Sequence, residues 1–240
     1  MKPALRETNV VVTGASRGIG RATALALAEE GARAALVARS EESLNQLAEE
    51  IGSKGGEAFA IPFDLGDLDH VPALAETAAE KLGGGIDLLV NNAGAFHESE
   101  FATMELADLE RIIRVNLNSP FVLTRELLPQ LKEVKGRVIN VVSTSAMQGY
   151  EHQAAYCASK HGLLGLMRAL ALEVKKDGVH VHNLCPGGVD TDFIKGTKLG
   201  ERLVGQTMIA PEDIAQMVVF LMKQPANIDL AEMTIRRFPK

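Results

Sequence analysis

The stretch Asn9-Val-Val-Val-Thr-Gly-Ala-Ser-Arg-Gly-Ile-Gly20 decides the architecture. Its first half is an apolar, β-branched run that reads as a strand buried on both faces. Its second half, Thr13 to Gly20, leads directly into an alanine-rich helical segment. Gly14 allows a sharp turn, Gly18 lets backbone approach a pyrophosphate, and Gly20 lets the helix pack close to the sheet. The first N–H groups of that helix, with the positive end of its macrodipole, then face an anion. The spacing is GxxxGxG rather than GxGxxG, and no GK[ST] follows, so the loop is not a Walker motif. A tight turn without a ligand is the bland reading, and the loop's place directly after the first strand argues against it.

Outward from this unit the same alternation continues. Candidate strands are 9–13, 34–38, 57–62, 87–91, 137–142 and 179–184, with a weaker one near 232–236. Helical segments lie near 18–30, 41–51, 68–82, 103–132, 154–175 and 211–223. Ser40 is placed to cap the second helix, with Glu41 and Glu42 in its first turn, and Pro211 opens the last one ahead of Glu212 and Asp213. Repeated strand–helix–strand units with right-handed crossovers predict an α/β, doubly wound parallel sheet. A closed eight-stranded barrel typically needs about 250 residues and eight such units. Six clear strands in 240 residues favour the open sheet, read here as one domain over 1–240.

Composition narrows the class. Apolar residues make up 46% and charged residues 23%, which suits a globular core and excludes disorder, collagen and fibrous coils. The formal net charge of −6 repels phosphate backbones, so no nucleic-acid or membrane partner is expected. Eight Phe, two Tyr and no Trp offer few base-stacking platforms. Cys157 and Cys185 are the only cysteines, form no CxxC, and point to a reducing compartment. No apolar run approaches the ~20 residues of a membrane span and no signal-peptide shape is present, so a cytoplasmic protein is expected.

Arg39 follows the second strand about 20 residues after the glycine loop, where NAD enzymes usually carry an acid for the ribose 2′-hydroxyl. With Arg17 it can pair with a 2′-phosphate, which favours NADP(H) over NAD(H); a solvated arginine at a strand end is the bland alternative. Asp64 closes the third strand, placed either to accept from an adenine amino group or to cap the helix starting near Asp67. Asn91-Asn92-Ala93-Gly94 ends the fourth strand beside the topological switch point, where small residues leave room for a cofactor.

Tyr156-Cys-Ala-Ser-Lys160 places a phenol and an ammonium on one helix face. A phenol has a pKa near 10, and bringing it to about 7 needs about 4 kcal/mol. The lysine cation, joined by an oxidised nicotinamide, can supply that in a partly dry cleft. Taken alone, such a pair is more often surface helix. Ser143 follows the fifth strand at the sheet edge where ligands gather, and its hydroxyl can donate to a substrate carbonyl. Asn116 interrupts a good helix before Ser119-Pro120, a polar kink able to hold a water that relays protons to Lys160.

Taken in order, these motifs resemble the short-chain dehydrogenase/reductase family of the compact type. The resemblance spans residues 7–223 and rests on TGASRGIG at 13–20, NNAG at 91–94, Asn116, Ser143, YCASK at 156–160, and Pro186-Gly187 leading to Thr191. It implies a three-layer α/β/α Rossmann fold and hydride transfer between NAD(P)H and a carbonyl–alcohol pair. Tyr156 would be the general acid or base, Ser143 would orient the carbonyl, Lys160 would lower the tyrosine pKa and bind the nicotinamide ribose, and Asn116 would hold the relay water. The cofactor would lie on Gly14, Ser16, Arg17, Gly18, Ile19 and Gly20, with Arg39, Asp64 and Leu65 on the adenosine side. Asn92, Ala93 and Gly94 would flank it, and Pro186, Gly187, Val189 and Thr191 would border the nicotinamide, Thr191 near its carboxamide. Similar proteins pair through helices matching 103–132 and 154–175, so a homodimer or homotetramer is implied.

Some features depart from that pattern or lie outside it. The C-terminal run from Asn227 to Phe238 lacks the VDGG tail of many family tetramers and resembles NADP-dependent hydroxy-acid and general carbonyl reductases more. The rival reading is a 3-oxoacyl carrier-protein reductase, whose relatives usually carry arginines for the carrier where this chain has Val134 and Leu172, although Lys132 and Lys135 are near. A catalytically silent NADP(H)-binding regulator is the alternative of another class, and the intact Asn–Ser–Tyr–Lys set argues against it. No metal is expected, since His180 and His182 lack a third ligand. Cys157 is read as packed and inert. Phe96, His97 and His152 are expected on loops at the mouth of the cleft, either touching substrate or solvated. Residues 188–209, with glycines among mixed charges, suit a mobile substrate lid.

Overall fold

The computed structural model describes residues 5–238. Seven strands are present: β1 Asn9–Thr13, β2 Arg33–Ala38, β3 Glu57–Pro62, β4 Leu88–Asn91, β5 Arg137–Val141, β6 His180–Pro186 and β7 Glu232–Ile235. All pair in parallel in the order β3-β2-β1-β4-β5-β6-β7. The order reverses between β1 and β4, so a crevice opens there beyond the carboxyl ends of the strands.

The helices are α1 Gly18–Glu29, α2 Glu41–Ser53, α3 Val71–Leu82, α4 Leu106–Ile113, α5 Ser119–Val134, α6 Ala154–Val174, α7 Lys198–Leu203 and α8 Pro211–Met222. They cover both faces. One apolar core joins the sheet to α1, α2 and α8 and the other joins it to α3, α5 and α6. Burial on two sides explains why Val10, Val11 and Val12 are all fully buried and why the strand reads as unbroken valine. Ser40 accepts from the Ser43 N–H at 3.3 Å, and Asp213 accepts from the Ala210 N–H at 3.2 Å, so both expected helix starts carry their caps.

Two elements differ from the sequence reading. The helix expected over 103–132 is two helices, α4 and α5, joined by a π turn at Arg114–Asn118. The weak strand near 232–236 is a full member of the sheet, pairing with β6 from Asn183↔Glu232 to Pro186↔Ile235. Its half-exposed edge position explains the faint signal. Across β4, β5 and β6 runs a buried line of amides. Asn91 donates to Asn140 at 3.0 Å and to Thr124 at 3.1 Å, and Asn140 donates to Asn183 at 3.1 Å. Among the described residues, no helix is long and apolar enough to cross a membrane.

Candidate active site

A cleft of about 1080 Å³ lies along the carboxyl edge of the sheet. Its floor is the glycine loop. Gly14 has φ +66°, and a Cβ there would lie 2.9 Å from the Cα of Ala93. A Cβ on Gly20 would lie 2.2 Å from the Gly14 carbonyl oxygen, so α1 can approach the loop only without a side chain at that position. The NNAG segment braces this floor from beside it. Asn92 Nδ2 donates to the Thr13 carbonyl at 2.8 Å and the Gly14 carbonyl at 3.2 Å, while the N–H groups of Asn92 and Ala93 donate to Thr13 Oγ1 at 3.0 and 3.1 Å. The Asn92 amide therefore shapes the loop, and Asn92, Ala93 and Gly94 all line the space.

No side chain caps the start of α1, so its first-turn N–H groups stay available to an anion. Arg17 and Arg39 line the same end of the cleft, and neither has an ion-pair partner among the described residues. Asp64 and Leu65 line it too. The Asp64 carboxylate accepts from the Gly66 N–H at 2.9 Å in a tight turn, so it does not cap the short turn that begins after Asp67. Ser16 precedes Arg17 in the loop, and Ile19 lines the cleft.

At the other end, Ser143, Tyr156 and Lys160 come together. Tyr156 and Lys160 are buried on α6, and Lys160 Nζ lies 5.7 Å from the tyrosine ring centroid. Contrary to the lowering expected from Lys160, burial pushes the Tyr156 phenol up to about 12, opposed by a hydrogen bond from the Ser143 hydroxyl. The Ser143 oxygen also accepts from the Ser145 N–H at 3.0 Å, which fixes the hydroxyl's direction. Burial pulls Lys160 down to about 8, and the nearby Cys185 opposes that shift. Lys160 Nζ donates to the Val141 carbonyl at 3.0 Å. The ammonium is therefore still charged at neutral pH.

Asn116 lies in the π turn, fully buried. Its Nδ2 donates to the Ala95 carbonyl at 2.9 Å and to Ser159 Oγ at 3.0 Å, and its Oδ1 accepts from the Ala95 N–H at 2.7 Å. The side chain is thus occupied in joining the loop after β4 to α6. A water relay at this residue would have to hang from its main chain, a refinement of the sequence reading. Beyond β6, Pro186 and Gly187 line the cleft, and Gly187 N–H donates to the Ile235 carbonyl at 2.8 Å. Val189 bridges to Ile209, and Thr191 Oγ1 accepts from the Phe193 N–H at 3.4 Å.

Residues 188–209 fold over the cleft as a turn, α7 and a return segment. Glu98 holds them on one side by accepting from the Leu199 N–H at 2.8 Å and from Arg202 at 2.9 Å. Phe193 reaches down, its ring centroid 6.1 Å from Tyr156 and 5.9 Å from Phe96, and Phe96 sits edge-on to Tyr156 at 5.1 Å. The sequence places Phe193 only within the lid span, and nothing local in it shows this aromatic triad. Arg236 and Arg237 also line the cleft and were missed. Their signal was the seventh strand, because any strand parallel to β6 ends at this same edge. His180 and His182 lie toward the start of β6, away from the cleft. Arg137 donates to His182 Nε2 at 3.1 Å, and the other ring nitrogen of His182 donates to the Leu230 carbonyl at 2.9 Å. No group of three residues able to hold a metal is found among the described residues.

The comparisons with known proteins agree on the class. A family model for short chain dehydrogenases matches residues 8–201, and the chain belongs to that family of oxidoreductases. It is 36% identical over 229 residues to a 3-oxoacyl-(acyl-carrier-protein) reductase of Synechocystis sp., covering 93% of this chain and 92% of that one. A metagenomic short-chain oxidoreductase in complex with NADP superposes with a TM-score of 0.85 at 36% identity, covering 98% of this chain and 99% of that one. A 3-ketoacyl-(acyl-carrier-protein) reductase from Brucella melitensis complexed with NADH gives 0.88 at 28% identity, covering 97% and 98%.

Proposed function

We propose that the chain reduces a ketone or aldehyde with NADPH, in one domain whose lid is residues 188–209. The observation that carries this is the meeting of Ser143, Tyr156 and Lys160 in one cleft with the glycine loop. The residues present fit a dinucleotide: a cradle that a Cβ at Gly14 or Gly20 would fill, open N–H groups, and two arginines without an ion-pair partner among the described residues. When bound, NADPH supplies a hydride to the carbonyl carbon. The Ser143 hydroxyl donates to the carbonyl oxygen and holds it toward Tyr156. Tyr156 delivers the proton as negative charge grows on that oxygen. Lys160, charged at neutral pH and buried beside the ring, favours the phenolate left behind. Phe96 and Phe193 keep water from the reacting atoms. In the oxidative direction the same groups act in reverse.

The solved neighbours hold either nicotinamide cofactor, so the preference for NADPH rests on this chain's own Arg39 and Arg17. Arg39→Asp is expected to turn a preference of about tenfold or more for NADPH into one for NADH. An unchanged ratio of kcat/KM would remove Arg39 from the role.

A second reading, 3-oxoacyl carrier-protein reductase, is favoured by the curated relative. Against it, Val134 and Leu172 are exposed apolar residues, and Lys132 is already paired with Asp177 at 2.8 Å. Assay of NADPH consumption against an acetoacetyl thioester, α-diketones, oxo acids and aldehydes separates the two. Turnover concentrated on the thioester selects the second reading, turnover elsewhere selects the first, and silence with NADPH bound selects a regulator. A homodimer or homotetramer through α4, α5 and α6 belongs to the same proposal, supported by Leu106, Phe121 and Leu172 lying exposed there. A cytoplasmic setting, without nucleic acid or membrane, completes it.

A further inference from the structure

The two residues after β7 run beside Gly187 and Gly188, because Pro186 pairs with Ile235 in the sheet. Alternation along a strand sends successive side chains to opposite faces. On one face Glu232 pairs with Arg168 of α6 at 2.6 Å, and Thr234 donates to Met147 Sδ at 3.4 Å. Arg236 follows directly after the strand, beside Gly187, and lines the cleft. On the other face Met233 and Ile235 pack against the α1 and α8 core, and Arg237 follows them. Arg237 Nη1 donates to Gln206 Oε1 at 2.6 Å and contacts Met208 Sδ at 3.5 Å, both in the return segment of the lid. Both arginines line the cleft, and Arg237 stands on its lid side.

Among the described residues, no carboxylate pairs with either of them. The acids lining the cleft are Asp64 and Asp192. Asp64 follows β3, at the opposite edge of the sheet from β7, and Asp192 is paired with Lys195. Arg236 has no ion-pair partner among the described residues, and the bonds of Arg237 are to an amide and a thioether. In a chain of net charge −6 this end of the cleft is locally cationic. Forked guanidinium donors match the paired oxygens of a carboxylate or phosphate. We propose that the substrate carries an anionic group, bound by Arg236 with Arg237 as the second charge, and this rests on the reductase reading above. The group is either the carboxylate of a small oxo acid or a phosphate on a thioester carrier.

The test compares NADPH-dependent reduction of 2- and 3-oxo acids with that of their methyl esters. It also compares acetoacetyl-CoA with the uncharged thioester acetoacetyl-N-acetylcysteamine. Wild type is expected to favour the anionic member of one pair by about tenfold or more in kcat/KM, expressed in KM. The pair that shows it identifies the source of the anion. Arg236→Met should bring that ratio near one, and Arg236→Lys should restore part of it; Arg236 is exposed, so neither change disturbs the core. A wild-type ratio near one in both pairs, or a ratio that Arg236→Met leaves intact, overturns the proposal. If no carbonyl is turned over, the reductase reading fails separately, and calorimetric titration of butyrate and of coenzyme A into NADP-loaded protein decides this one. Binding of either weakened about tenfold in Arg236→Met supports it, and absent or equal binding of both overturns it.

Discussion

Tyr156→Phe is expected to lower carbonyl reduction by about 10²- to 10⁴-fold, the range for removing a positioned general acid. The phenyl ring keeps its packing against Phe96 and Phe193 and loses only the proton-bearing oxygen. Ser143 keeps its bond from the Ser145 N–H, so no buried acceptor is stranded. Binding of NADPH, followed by fluorescence, should change little, since the glycine loop and Arg39 lie at the other end of the cleft. A variant within tenfold of the wild-type rate would show that the proton comes from elsewhere.

Lys160→Met separates activity from stability. Burial lowers the lysine to about 8 against an ordinary 10.5, so the folded protein surrenders this proton before the unfolded chain does. Below pH 8 both states hold it, and the fold bears a penalty of about 3 kcal/mol, taking 1.36 kcal/mol per unit. From pH 8 to 10.5 the unfolded chain binds more protons, so wild-type stability rises relative to a variant without the amine. Methionine escapes the penalty but strands the Val141 carbonyl, which costs about 1–3 kcal/mol at every pH. The change with pH is therefore the observable. Urea unfolding of both proteins should show the Met variant's relative stability falling by about 3 kcal/mol between pH 8 and 10.5. A difference that stays flat over that interval refutes the lowering of the lysine by burial. Turnover of the variant should fall below a hundredth of wild type, and wild-type reduction should decline as pH passes about 8.

The parts of the molecule that speak in sequence are those whose chemistry is local. The valine run of β1 and the glycines after it are legible because burial on two faces and a turn without a Cβ each restrict residue type at consecutive positions. The Tyr156–Lys160 spacing is legible for the same reason. Asn116 announced a break in its helix, but periodicity does not reveal the π turn that absorbs it. Nor could a sequence show its amide bonded to Ala95 and Ser159, contacts made across loop and helix. Arg236 and Arg237 depended on β7, a four-residue edge strand with every other residue exposed, where the hydrophobic signal is weakest.

The line of buried asparagines through β4, β5 and β6 bears on how the chain reaches this fold at all. Its central strands are runs of valine, isoleucine and leucine, and such strands can zip together one or two places out of step with little loss of apolar contact. Partners lie far apart in the chain, Asn140 coming 49 positions after Asn91 and Asn183 coming 43 after Asn140, so faulty pairings have time to form. A slipped pairing sets each amide against a hydrocarbon neighbour, at about 1–3 kcal/mol per unmet polar group. The asparagines thus penalise misaligned sheets that the aliphatic residues alone would accept.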